Sequence, residues 1–250
     1  MDMKVTLLGT SAGVPIPGRA QSGILVETPE NKVLLDCGMG VPLRMAEAGV
    51  SCEEVDTVCL THEHLDHIQD LPTLVKASWL RSREAKYTIV IPHGLKAPLI
   101  TFCKAADRSI FEKRAVELNF EELKSKKMLR DNLTITAFDT LHTEISQGYK
   151  ISFEGKEVVY TGDTEACGEV KNHSEGADLV IHELSFLKEK EGHTDPERLI
   201  SLFEGSSIDD LVIHHFYPEA AERAEEIAEK IERETGIRTT AGKDLQTFMI

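Results

Sequence analysis

Short apolar runs and helical patterns alternate along most of this chain. Runs of about four to six residues rich in Val, Ile and Leu are bounded by Gly, Pro, Asp or Asn, which is typical of buried strands. Elsewhere, apolar residues recur three and four positions apart, which indicates amphipathic helices. Because the two kinds of segment are interleaved from one end of the chain to the other, the pattern favours an α/β fold.

The pattern gives each element a position. Strands are expected at residues 5–8, 23–27, 32–36, 55–60, 88–91, 133–138, 148–153, 158–160, 179–182 and 211–214. Helices are expected at 41–48, 68–83, 96–114, 196–203 and 218–235, with Thr194 or Asp195 as the cap of the fourth and Gly236 as the stop of the last. A set of strands and helices is followed by a second such set. This order predicts two mixed β-sheets sandwiched between helices in one domain, residues 1–250.

Composition agrees with an ordinary globular protein. Hydrophobic residues make up 41% of the 250 residues and charged residues 28%. No apolar run approaches the length of a membrane span, and the N-terminus enters a strand at once, so we expect a cytoplasmic protein without a membrane partner. The five cysteines are scattered and lack a C-x-x-C pair, which argues against disulfides or a zinc knuckle.

The formal net charge of −15 limits the class of partner. Broad binding to nucleic acid relies on clustered Lys and Arg that neutralise phosphates. Nucleic acid is therefore disfavoured as a partner, although a local basic patch could coexist with an acidic whole. Part of the acidity lies in the last predicted helix, between Glu219 and Glu234, where we expect a solvated face.

The segment from His62 to His67 carries the strongest chemical signal. It reads H-E-H-L-D-H and directly follows a predicted strand, so three imidazoles and one carboxylate lie within six residues. His nitrogen and Asp oxygen are ligands that Zn²⁺ and similar ions accept. A solvated polar turn would need no such cluster, and burying these groups unpaired would be costly. The motif therefore predicts a metal centre that activates water.

Further residues with metal-binding side chains lie where other predicted strands end. His142 follows the strand at 133–138, Asp163 follows Gly162 after the strand at 158–160, and His214 and His215 follow the strand at 211–214. Alone, an Asp after Gly is more often a turn residue. A catalytic metal centre with two ions needs such extra ligands, including one that bridges the ions.

These segments together resemble the metallo-β-lactamase fold superfamily, and most closely its ribonuclease Z-related branch. The resemblance covers almost the whole chain. It rests on the opening K-V-T-L-L-G-T-S-A-G-V-P, the H-x-H-x-D-H motif, His142 with G-Y-K-I, Y-T-G-D-T, and the segments H-E-L-S-F and G-H-T that hold Glu183 and His193. It implies an αββα four-layer sandwich, with two mixed β-sheets flanked by helices, and a hydrolase that uses two divalent metal ions.

The resemblance also implies a role for each ligand. One ion would be held by His62, His64 and His142, the second by Asp66, His67 and His215, and Asp163 would bridge them. His215 is preferred to His214 because the final ligand of the family precedes an aromatic or aliphatic residue. Zn²⁺ is expected, with Mn²⁺ or Fe²⁺ as alternatives.

Three residues are expected to act in catalysis. Asp66 would orient a metal-bridging hydroxide, the nucleophile that the resemblance implies. Glu183 and His193 resemble the pair that helps to protonate the leaving oxygen. The structural alternative for this pair is a hydrogen bond that only tethers two loops.

The chain departs from ribonuclease Z in several segments. Met39 to Pro42 replaces the E-G-T-Q of the family, Leu65 stands where Gly is typical, and no Gly/Pro/Lys-rich arm for gripping tRNA is found. We therefore predict a phosphodiesterase that acts on a small or short phosphodiester. The alternatives are a ribonuclease Z-type tRNA 3′-processing endonuclease, an ester or lactone hydrolase on the same fold, and a non-catalytic metal-binding protein. Relatives often form dimers, so the resemblance also implies that this protein could form a homodimer.

Overall fold

Two seven-stranded β-sheets face each other and carry helices on their outer faces. The computed structural model describes residues 3–82, 84–112, 116–123, 127–130 and 132–250. The strands are β1 Lys4–Gly9, β2 Gly23–Glu27, β3 Lys32–Leu35, β4 Thr57–Cys59, β5 Ala85–Ile91, β6 Val116–Glu122, β7 Lys127–Arg130, β8 Leu133–Asp139, β9 Gln147–Phe153, β10 Lys156–Tyr160, β11 Leu179–Glu183, β12 Asp210–His214, β13 Arg238–Ala241 and β14 Thr247–Met249. The α-helices are α1 Val41–Glu47, α2 Leu65–Ile68, α3 Leu71–Ser82, α4 Lys96–Phe111, α5 Gly168–Ser174, α6 Pro196–Phe203, α7 Pro218–Glu222 and α8 Ala224–Thr235.

The two sheets have matching topologies. The first runs in the order β14-β1-β2-β3-β4-β5-β6, and the second in the order β13-β12-β11-β10-β9-β8-β7. In the first sheet β1 to β3 pair antiparallel and β3 to β6 pair parallel. In the second, β7 to β10 pair antiparallel and β10 to β13 pair parallel. Parallel strands end at the same edge of a sheet, so the loops that follow them lie side by side.

Side chains of successive strand residues point to opposite faces, and both faces are buried here. In β2, Ile24 and Val26 pack between the sheets while Leu25 packs under the helices of the first sheet. Leu199 of α6 and Ile231 of α8 pack on the outer face of the second sheet. The result is the αββα sandwich that the sequence predicts, with one core between the sheets and one under each helical layer.

Several predicted elements need correction. The helix expected at 218–235 is two helices, α7 and α8, because Arg223 leaves the helical region at φ −113° and ψ 9°. One non-helical residue leaves the apolar spacing intact, so the pattern did not reveal the break. The helix expected at 96–114 ends at Phe111 and is kinked at Asp107, and its last two residues lie outside the described part.

The helix expected at 68–83 is also shorter than predicted. α3 begins at Leu71 and ends at Ser82, a separate short helix precedes it, and residue 83 lies outside the described part. The sequence did not predict β6, β7, β13, β14 or α5. β14 has three residues and β6 is only half-buried, so neither produces a continuous apolar run. Among the described helices, none is long and apolar enough to cross a membrane.

Candidate metal centre

The H-x-H-x-D-H segment folds as a turn that leads into α2. His64, with a φ of −64° and a ψ of 144°, is extended and directly precedes the first helical residue. Asp66 and His67 then lie in the first turn of α2, so their side chains leave the backbone in a different direction from those of His62 and His64. The change from an extended His64 to a helix therefore divides the four candidate ligands of this segment into two pairs.

The first group of ligand atoms contains three imidazoles and one carboxylate. His62, His64, His142 and Asp163 each offer an atom, and all of these atoms lie within 4.8 Å of one another. His142 Nε2 is 3.1 Å from His64 Nδ1 and 3.6 Å from Asp163 Oδ2. His62 Nε2 is 3.8 Å from the same Asp163 oxygen.

The second group lies on the other side of Asp163. Asp66, His67 and His215 offer ligand atoms that also lie within 4.8 Å of one another. His67 Nε2 and His215 Nε2 are 3.1 Å apart, and each is 3.3 Å from Asp163 Oδ1. Asp66 Oδ2 is 3.3 Å from His215 Nε2. The two oxygens of Asp163 therefore face different groups, which suits a carboxylate that bridges two ions through both of its oxygens.

The geometry of both groups fits divalent metal ions. Ligand atoms that surround one zinc ion tetrahedrally at about 2.0–2.2 Å lie roughly 3.3–3.6 Å apart, which is close to the separations here. His62 Nε2 and Asp163 Oδ1 are buried and have no hydrogen-bond partner among the described residues. Leaving buried polar atoms unpaired is costly, so an ion at this position would satisfy them.

The electrostatics of the cluster also favour a cation. Burial would lower the pKa of His67, but the carboxylates of Asp163 and Asp36 hold it well above its ordinary value. Burial would raise the pKa of Asp66, but a hydrogen bond from His215 and the nearby His67 lower it to about 2. The carboxylates of Asp66 and Asp163 are therefore ionised at neutral pH, and they stabilise positive charge where the ions would lie.

Polar groups around the cluster fix the orientation of the imidazoles. His67 Nδ1 is 2.7 Å from Asp36 Oδ2, and His215 Nδ1 is 2.8 Å from Ser185 Oγ. His142 Nδ1 is 2.8 Å from the carbonyl oxygen of Gly192. In each of these three residues Nδ1 is engaged, which leaves Nε2 directed at the cluster.

Gly162 allows Asp163 to reach the centre. Its φ is +58°, in the left-handed region that favours glycine. A β-carbon at this position would lie 2.8 Å from Cβ of Thr61. The sharp turn after β10 therefore needs glycine both for its backbone conformation and for its close approach to the neighbouring segment.

Glu183 and His193 form a pair beside the cluster. Glu183 is fully buried, and its Oε1 is 2.9 Å from His193 Nδ1. Burial would lower the pKa of His193, but the hydrogen bond to Glu183 raises it. The His193 ring lies 4.8 Å from the ring of His142. The contact exists as the sequence predicts, and its position agrees with either a catalytic or a tethering role.

The structure brings together all seven predicted ligands, and it leaves His214 aside. His214 is buried against Tyr160, and neither of its ring nitrogens has a hydrogen-bond partner among the described residues. Sequence reasoning missed two polar residues, Asp36 and Ser185, that orient ligands. Asp36 was visible only as the polar end of a strand in D-C-G, and Ser185 only within a family segment.

Comparisons with known proteins agree with this geometry. Ribonuclease Z of Mycobacterium bovis is 31% identical over 195 residues, which cover 72% of this chain and 69% of that protein. The structure is similar to that of YhfI, a metallo-β-lactamase fold protein from Bacillus subtilis, with a TM-score of 0.85, 24% identity and complete coverage of both chains. It is also similar to the short form of human tRNase Z, with a TM-score of 0.77, 19% identity and 98% coverage of both chains.

Fold, site and relatives together define the class of protein. The chain is a metallohydrolase of the metallo-β-lactamase fold, related to ribonuclease Z. Within that class a more specific match exists. The model of the family described as Anti-Pycsar protein Apyc1 matches residues 3–233, and the chain belongs to this family.

Proposed function

We propose that the protein is a phosphodiesterase with two divalent metal ions, and that its substrates are small or short phosphodiesters. One observation carries the proposal: the two oxygens of Asp163 face two separate groups of His and Asp ligand atoms. His62, His64 and His142 would hold one ion, and Asp66, His67 and His215 the other. Nitrogen and oxygen ligands at these separations suit Zn²⁺, and Mn²⁺ or Fe²⁺ would also be accepted.

When bound, such ions lower the pKa of a shared water and polarise a phosphoryl oxygen. The residues of this chain contribute the remaining functions. Asp66, whose pKa is about 2, is ionised at neutral pH and can orient the attacking water through an accepted hydrogen bond. His193, with its raised pKa, can donate a proton to the leaving oxygen, and Glu183 holds its imidazole in place.

The surroundings of the ligands favour a small substrate over a long polyanion. Leu65 and Leu141 stand next to ligand residues in the sequence and are both more than half exposed. The rim contributed by these two residues is therefore apolar, whereas a surface for long nucleic acid is basic. The net charge of −15 also disfavours binding of a long polyanion.

A second candidate is tRNA 3′-end processing by a ribonuclease Z-type endonuclease. The relative at 31% identity carries that enzyme's name, and the chain covers 69% of its length. Both candidates use the same ligands and cleave the same kind of bond. They differ in whether a folded RNA is recognised.

The test compares substrates and one matched variant. Purified protein, metal-stripped or reloaded with Zn²⁺ or Mn²⁺, is assayed with bis(p-nitrophenyl) phosphate, 3′,5′-cyclic mononucleotides and a precursor tRNA. We expect metal-dependent cleavage of the small phosphodiesters, little tRNA cleavage, and a loss of at least about 100-fold in Asp66→Asn. Asp139→Asn makes the same change at an exposed position and should retain full activity.

Other outcomes would overturn the proposal. Efficient tRNA maturation without cleavage of small phosphodiesters would establish the second candidate. Cleavage of carboxylic esters or lactones alone would establish an ester hydrolase. Bound metal without turnover on any of these substrates would indicate a non-catalytic metal protein.

A further inference from the structure

Tyr217 lies near the cluster of candidate ligands, but its side chain makes no hydrogen bond to any of them among the described residues. It follows His215 by two residues and directly precedes α7. Its ring stacks on that of Phe186, with centroids 4.5 Å apart and an interplanar angle of 25°. Phe186 in turn packs edge-on against His193, at 5.1 Å. This contact restricts the Tyr217 ring, so the direction of its hydroxyl group is largely fixed.

The hydroxyl of Tyr217 and the carboxylate of Asp66 both lie close to Gly13. A β-carbon at residue 13 would lie 3.5 Å from Asp66 Oδ2 and 3.6 Å from the Tyr217 hydroxyl oxygen. Residue 13 is glycine, so no side chain occupies this space. Within the described residues, no hydrogen bond engages the hydroxyl group. A fixed donor therefore lies near Asp66, which belongs to the second group of ligand atoms.

A phenol ordinarily has a pKa of about 10, so the hydroxyl group of a tyrosine is protonated at neutral pH. A neutral phenol donates its proton in a hydrogen bond to an anion, and a bond to a charged acceptor is stronger than one between neutral groups.

We propose that Tyr217 binds the substrate: its hydroxyl group donates a hydrogen bond to a non-bridging oxygen of the phosphoryl group. This inference rests on the proposed phosphodiesterase function and adds a substrate contact to it. Phe186 is then a positioning residue, because it holds the Tyr217 ring. The ligand recognised at this position is a phosphate or phosphodiester anion.

The test uses Tyr217→Phe, which keeps the ring and its stacking on Phe186 and removes only the hydroxyl group. Steady-state kinetics are measured with bis(p-nitrophenyl) phosphate, and binding of inorganic phosphate to the zinc-loaded protein is measured by calorimetry. We expect kcat/KM to fall, and the Kd for phosphate to rise, by about 10- to 100-fold, as for the loss of a hydrogen bond to a charged group. Zinc content and thermal midpoint should stay unchanged, because the hydroxyl group has no protein partner to lose.

The two measurements separate this inference from the proposed function. If the wild type cleaves no phosphodiester, the proposed function fails, and phosphate binding still decides the role of Tyr217. Weaker phosphate binding in Tyr217→Phe supports the inference whether or not turnover is found. Unchanged phosphate binding in the variant, or no phosphate binding by the wild type, overturns it.

Discussion

The buried carboxylate of Asp36 accepts four hydrogen bonds beside the ligands. Its Oδ1 accepts the backbone N–H of Thr61, and its Oδ2 accepts from the Thr61 hydroxyl, from His67 Nδ1 and from the hydroxyl of Tyr160. It is fully buried and adopts a φ of +59°, which is uncommon for a residue other than glycine. Such backbone strain is tolerated where the surroundings fix the residue, and it is frequent at functional sites.

Asp36→Asn should weaken metal binding without removing a ligand. An amide group at this position would direct N–H toward hydrogen-bond donors, so His67 would lose its fixed orientation. We expect zinc affinity to fall by about 10- to 100-fold, as measured by competition with a chromophoric chelator. Asp139→Asn, at an exposed position, is the matched control. Equal affinity in the two variants would show that Asp36 does not orient a ligand.

The pair of Glu183 and His193 gives a prediction about pH. The pKa of His193 is raised above its usual value of about 6.5, and a proton donor works only below its pKa. Activity should therefore fall as pH rises through this raised pKa. Glu183→Gln removes the charge that raises the pKa, so the alkaline limb of the profile of kcat/KM against pH should move to lower pH. An unmoved limb would assign the pair to tethering alone, and Glu204→Gln controls for the loss of an exposed charge.

At this scale the sequence indicated the candidate ligands, which the fold brings together, but not the residues that orient them. H-x-H-x-D-H is local, so six consecutive residues reveal it. The role of Asp36 depends on its contact with a histidine 31 positions away, and no local pattern encodes that contact. The substrate contact that we propose for Tyr217 depends likewise on the approach of Tyr217 to Asp66 beside Gly13, which only the folded chain creates.

At the scale of elements, the ends of strands and helices place the reactive groups. His142, Asp163 and His215 each follow a strand of the second sheet, whereas His62 and His67 follow β4 of the first. The apolar runs predicted most of these strands, because a strand buried on both faces is apolar throughout. Half-buried strands such as β6 and breaks such as Arg223 were missed, since neither changes the hydrophobic pattern.

Helix α6 fixes the loop that carries His193. Asp195 caps this helix, and its side chain accepts from the backbone N–H groups of Glu197 and Arg198. Asp195→Ala should lower the free energy of unfolding by about 0.5–2 kcal/mol, as measured by urea denaturation of the metal-loaded protein. Ser201→Ala, on the exposed side of the same helix, should cause no loss. Equal stability of the two variants would contradict a stabilising cap.

At the scale of the whole molecule, the candidate metal centre joins the two halves of the sandwich. The first half provides the H-x-H-x-D-H segment, and the second provides the remaining three ligands. Ions at this position would bind side chains that the unfolded chain does not bring together. Metal binding should therefore stabilise the fold as well as supply chemistry.

Removal of metal should lower the thermal midpoint. For one site, a ligand at 100 times its Kd stabilises the native state by about 2.7 kcal/mol. Chelation by EDTA followed by desalting should therefore lower the midpoint by several degrees, and added Zn²⁺ should restore it. A midpoint that does not respond to either treatment would mean that the ligands bind no structural ion in the native state.

The most direct measurement is the metal content of each chain. Protein reconstituted with Zn²⁺ and passed through a desalting column is analysed by plasma mass spectrometry, with Asp163→Ala as the variant and Asp139→Asn as the control. We expect about two ions per chain in the wild type and the control, and a loss of bound metal in Asp163→Ala, because the bridging carboxylate serves both groups. No bound ion, a single ion, or two ions that persist without Asp163 would contradict a carboxylate-bridged pair.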